Sequence, residues 1–143
     1  VNAQPAAAVT PATVNETTPA QFAAKADAVC TVLHRHLKPL EDHIDHLDNL
    51  HAMAPYARKI VPLAAELTRR LAAIPKPAVN RNAYTAYIRL LRKQASEIRA
   101  ISAAMDRGDV PTFTRLASRN SDYIARQHGL AQGLGLKVCG NLS

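Results

Sequence analysis

The amino-acid sequence predicts an all-α protein, an antiparallel up-down-up-down four-helix bundle with a kinked, long first helix and one disulfide. Three observations lead there. Apolar residues recur at alternating spacings of three and four along four segments, the pattern of helices that each bury one face. Alanine is the commonest residue, 27 of 143, against five glycines and no tryptophan. Such a composition suits close-packed helices and lacks the β-branched and aromatic strands, joined by glycine turns, of a sandwich or barrel. The length fits one domain, and 48% hydrophobic with 20% charged residues supports a packed core.

Residues 1–17 show no apolar period and are dominated by Ala, Pro and Thr; they are expected to be a disordered tether to a domain spanning 18–143. Thr18-Pro19-Ala20-Gln21 opens the first helix, with Thr18 as cap, Pro19 at the first helical position and Gln21 placed to return a capping-box bond. Ala26, Cys30, Leu33, Leu37, Leu40, Ile44, Leu47, His51 and Ala54 then read as one uninterrupted seam. Pro39 within it is expected to kink or split the helix. Pro55 marks the expected start of the second helix, whose seam is Ile60, Leu63, Leu67, Leu71 and Ile74, and Pro75-Lys76-Pro77 stops it.

The third seam is Tyr84, Ile88, Leu91, Ala95, Ile98, Ser102 and Met105, begun by Asn80 or Asn82 and ended by Gly108. Asp109 caps a fourth helix with Pro111 in its first turn. Its inner stripe is Phe113, Leu116, Asn120, Ile124, Gln127 and Ala131, and four of the five glycines crowd its tail, where fraying is expected. No apolar run reaches the ~18 residues of a membrane-crossing segment.

The two cysteines, Cys30 and Cys139, are too few for a zinc ribbon and form no C-x-x-C pair. In an exported protein they would form one disulfide; in the cytosol both would stay reduced. The bundle topology sets the end of the fourth helix beside the start of the first, where such a bridge needs its ends. Val1 in place of Met reads as the start left by a removed signal peptide. The segments Phe22-Ala23-Ala24-Lys25-Ala26-Asp27-Ala28-Val29-Cys30 and Gly133-Leu134-Gly135-Leu136-Lys137-Val138-Cys139-Gly140 resemble the ends of small exported, alanine-rich helical proteins of high-GC Gram-positive bacteria. That resemblance implies a secreted or cell-envelope location and no particular activity.

The chain carries 18 Lys and Arg against 11 Asp and Glu, net +7. The first helical segment is net acidic, so the positive charge lies on the later helices. Arg89, Arg92 and Lys93, beside Tyr87, are the candidate contacts for an anionic envelope polymer or another protein. Stacking aromatics are few, which argues against nucleic acid. Five of six histidines fall between 34 and 51. Of these, Asp42, His43 and His46 have the i, i+3 and i+4 spacing that lets side chains share a transition-metal ion. His51, on the seam, is expected to bond to a neighbouring helix. No nucleophile elbow or phosphate-binding glycine loop is present, and no cofactor is called for. The expectation is a non-enzymatic binding or structural protein of the cell envelope; the competing reading is a metal-binding or metal-sensing protein.

Overall fold

In a computed structural model, residues 17–141 are described. They form α1 (Pro19–Asp45), α2 (Leu50–Ala73), α3 (Arg81–Arg107) and α4 (Val110–Gly133), followed by a 3-10 turn at Cys139–Asn141. The tether expected over 1–17 lies, but for its last residue, outside the described residues.

Local chemistry sets most of the boundaries. Thr18 and Gln21 form the reciprocal capping box, with Thr18 N–H donating to Gln21 Oε1 at 2.9 Å and Gln21 N–H to Thr18 Oγ1 at 3.1 Å. Asp109 caps α4 by accepting from Thr112 N–H at 3.2 Å, and the Thr112 side chain, with this backbone contact, holds its carboxyl below the usual range. Asn80 begins α3 from the left-handed region, φ 57°, which asparagine tolerates better than most residues. Gly108 ends α3 in the same region, φ 64°.

Two boundaries differ from the sequence reading. The first seam does not continue to His51 and Ala54: α1 ends at Asp45, and Asn49 starts α2 by accepting from Ala52 N–H at 2.8 Å. His51 therefore sits in the first turn of α2, exposed, its ring lying against Gly108 rather than buried on α1. Pro55 is inside α2 instead of at its start. Pro39, Pro55 and Pro62 all occupy exposed positions within continuous helices. The carbonyls each releases one turn earlier, at Arg35, His51 and Arg58, belong to exposed residues too, so none is left in a buried place by the lost bond. Gly129 and Gly133 lie within α4, which runs on to Gly133 before the chain turns irregular.

The helices pack in sequence, α1 on α2, α2 on α3 and α3 on α4, while α1 and α4 meet chiefly through the C-terminal turn. Cys30 of α1 is disulfide-bonded to Cys139. The Asp27 carboxylate accepts the N–H groups of Lys137, Val138 and Cys139 at 3.0, 2.9 and 3.1 Å. Gly140 permits the turn to lie on α4, for a Cβ there would stand 3.0 Å from Gln132 Cγ.

Most of the buried apolar residues fall into two clusters. At the disulfide end Phe22, Cys30, Leu33, Leu71, Tyr87, Ile88 and Leu136 form the larger one. Phe22 meets Tyr84 edge-to-face at 4.6 Å between ring centres, and burying each such side chain contributes about 1.5–3 kcal/mol. At the other end Ala54, Ala57 and Met105 pack with Ile44, Met53, Ile101 and Phe113.

The backbone at Gly108 generates a paired prediction. Gly108→Ala adds a Cβ at positive φ, 3.0 Å from His51 Nε2, and should cost about 1–2 kcal/mol. Gly129→Ala, helical and with open space around it, should instead stabilise by roughly 0.5–1 kcal/mol. Urea denaturation of the two variants measures both signs.

Candidate functional site

Between the two core clusters the bundle is not filled. An upper chamber of about 90 Å³ is bounded by residues of all four helices, among them His34 and Leu37, Leu67, Leu91, and Gln127 with His128. A wider one of about 370 Å³ adjoins it. Glu41, Gln94, Ile98 and Ile124 line both, so the two form one cleft. The walls of the wide chamber are mostly aliphatic: Ile44, Ala57, Ile60, Ile98, Ile101 and Ile124. The space exists because α1 and α4 are joined mainly at one pole, through the C-terminal turn.

Polar groups interrupt these walls without partners. Gln127, only 7% exposed, has no hydrogen bond to its side-chain oxygen among the described residues, and neither does the buried Oδ1 of Asn120. An unmet buried amide costs about 1–3 kcal/mol, which a ligand offering a matching group recovers. Glu41 is half-buried in the cleft wall. Burial first, then the neighbouring Asp45 and Asp42, push its carboxyl up to about 7, and Lys38 opposes them. By contrast Asp42, bonded to Lys38 at 2.8 Å, is held below the carboxylate range.

The residues singled out from the sequence are placed as follows. Cys30 and Cys139 are bonded. Asp42, His43 and His46 are all exposed, and each is engaged separately. Asp42 pairs with Lys38, His43 packs edge-on against Tyr56 at 4.8 Å, and His46 Nδ1 donates to the Asp42 carbonyl at 2.7 Å. Among the described residues no three potential ligands converge on a metal position. The basic trio is divided: Lys93 lies 5.9 Å over the Tyr123 ring of α4, Arg92 borders a depression between α2 and α3, and Arg89 is exposed.

Tyr87 does not serve the basic face, being 1% exposed and packed in the larger core. The inner face of α3 is wider than one seam, since α2 and α4 flank it, and Leu90 is buried as well. The depression beside Arg92 is rimmed also by Arg69 and Arg99 and floored by Ala65, Ala72 and Ala95. Arg69 is paired with Glu66, whereas Arg92 and Arg99 make no ion pair among the described residues.

The cleft lining was partly visible as a pattern. Asn120 and Gln127 stand on the apolar stripe of α4, where polar residues require partners, and Glu41 follows Leu37 by four residues, flanking the α1 seam. The chain matches no protein-family model, no curated protein and no solved structure.

Glu41 makes a pH prediction. The folded state holds a proton on it between pH 4.5 and about 7 that the unfolded chain has released, so its contribution to stability falls as pH rises through that window. Glu41→Gln should melt a few degrees above the wild type at pH 8 and alongside it at pH 4.5. Calorimetric melts across that range test this, and an equal difference at both ends would contradict it.

Proposed function

We propose that this protein is a non-enzymatic, extracytoplasmic binding module that holds a small, apolar-bodied molecule in the cleft between its four helices. The observation that carries the reading is Gln127, 7% exposed and with its amide oxygen unpartnered among the described residues, in the wall of a cleft whose wider chamber is largely apolar. A few placed polar groups in a mostly apolar concavity are the usual make-up of a small-molecule site, and the wide chamber falls in the ~300–1,000 Å³ range of such sites. The location is supported by the disulfide, which persists in oxidising compartments. It is supported too by the resemblance of both chain ends to exported proteins. A binding role is favoured over catalysis because neither His34 nor His128 is hydrogen-bonded to Glu41 among the described residues, so no acid–base pair is set up there.

The test is a neutral fluorescent probe such as N-phenylnaphthylamine. It should bind the native chain and be excluded by Ile98→Trp, which fills the junction of the two chambers, with helical content and melting as folding controls. Unchanged binding in a folded Ile98→Trp protein would place the probe elsewhere and remove the reading.

A second reading has its own observation. Arg92 and Arg99, without ion pairs, border one depression on a chain of net charge +7, a surface suited to an anionic envelope polymer. Polyphosphate should then bind with an affinity that falls steeply with salt, and Arg92→Ala/Arg99→Ala should weaken it several-fold. Binding indifferent to both salt and the substitutions would exclude this face.

A further inference from the structure

We infer that the ligand of the cleft is an organic cation on an apolar body, its charged head held by Glu41 and Asp45 and its body lodged among Ile60, Ile98, Ile101 and Ile124. This rests on the cleft being a binding site, as proposed above, and adds the chemistry of its occupant.

The first argument is an inversion of charge. The chain as a whole is strongly basic, yet the ionisable groups of the wide chamber are three carboxylates, Glu41, Asp42 and Asp45, and a single lysine. Lys38 is consumed by Asp42 at 2.8 Å. Glu41 and Asp45, one helical turn apart on α1, make no ion pair among the described residues, and Asp45 raises the energy of the ionised form of Glu41. A half-buried carboxylate in an aliphatic wall is costly without a counter-ion, and an ammonium supplies one.

The second argument comes from α4, which also lines the cleft. Asn120 Oδ1 on α4 is a buried acceptor with no donor, and Gln127 Oε1, two turns further along α4, is another. An ammonium that faces Glu41 has further N–H groups to give, and carbonyl oxygens are what they need. An anionic ligand would meet three carboxylates and a lysine already paired with Asp42, and a neutral one would leave Glu41 unneutralised. A bare metal ion is disfavoured because among the described residues no three ligands converge. An organic cation brings its own apolar contacts and needs fewer.

The pH response follows from what faces Glu41. On its own helix these are His34, Lys38, Asp42 and Asp45, and on α4 His128, while the linings from α2 and α3 are neutral. Below about 7 the empty cleft holds Glu41 protonated, so a cation must displace that proton and binding weakens on acidification.

Three probes with one chain length separate the possibilities: octylammonium, octanol and octanoate, titrated calorimetrically into the full, disulfide-bonded chain at pH 8 and pH 6. Octylammonium should bind about tenfold tighter than octanol at pH 8, a difference near 1.4 kcal/mol, with octanoate weakest. Most of that advantage should vanish at pH 6. Glu41→Gln should abolish it, so that octylammonium and octanol bind that variant alike, and Asp45→Asn should reduce it; melting curves confirm that both variants fold. Octanol binding as tightly as octylammonium would overturn the cation inference and leave the cleft reading standing. An octylammonium advantage that survives Glu41→Gln would overturn it as well. Failure of all three probes to bind would remove the cleft reading together with the inference.

Discussion

The carboxylate of Asp27 holds the bundle closed. In an up-down-up-down bundle the first and last helices must become neighbours, and here little direct packing joins them. Instead three consecutive N–H groups of the C-terminal segment converge on Asp27, one turn from the Cys30–Cys139 bond. Hydrogen bonds to a charged acceptor are roughly twice as strong as neutral ones. The segment after α4 has no helical ladder of its own beyond one 3-10 turn, so Asp27 satisfies backbone groups that would otherwise face a buried junction. In the chain-entropy view the disulfide adds up to ~4.7 kcal/mol by closing a loop of this length, and Asp27 shapes the segment that carries its second sulfur.

Fastening at one pole explains why the core is divided. Large side chains crowd the disulfide end, where Phe22, Tyr84, Tyr87 and Leu136 fill the space among the helices. At the far end α3 and α4 are linked through Gly108 and Asp109, and small residues of α2 let Met105 and Phe113 reach inward. Neither cluster has the bulk to occupy the middle, where isoleucines and polar side chains remain around open volume. The Arg119–Glu97 pair between α4 and α3 and the Arg58–Asp106 pair between α3 and α2 tie those helices together. No comparable pair joins α1 to α4 among the described residues. The weakest seam of the bundle, between α1 and α4, thus borders its cleft.

The fold was legible in the sequence wherever a local rule acted alone. Thr18 with Gln21, Asp109 with Pro111, and Gly108 each mark a boundary by backbone chemistry that needs no tertiary partner, and the seam spacing located the buried faces. Reading failed at residues 46–54 because Leu47, His51 and Ala54 continue the α1 spacing by coincidence across a turn. Asn49, a good cap two residues after Leu47, was the competing signal. Tyr87 was misplaced because a single-seam reading underestimates the buried arc of a helix flanked on both sides. The site was harder still. Asn120 and Gln127 were visible as inner positions, but their lack of partners depends on which residues of α1 come opposite them. Glu41 owes its character to burial and to Asp45, and only the assembled bundle supplies the first of these.

Because Cys30 lies near the start of the first helix and Cys139 almost at the end of the described chain, a covalent path short-circuits nearly the whole domain. Tension applied between residues 17 and 141 passes along about one helical stretch, through the sulfurs, and out again. The residues between the cysteines, which include every side chain lining the cleft, lie outside that path. The bundle is mechanically a closed loop hung from a single knot, and a cut in any of its three interhelical turns would leave both pieces attached.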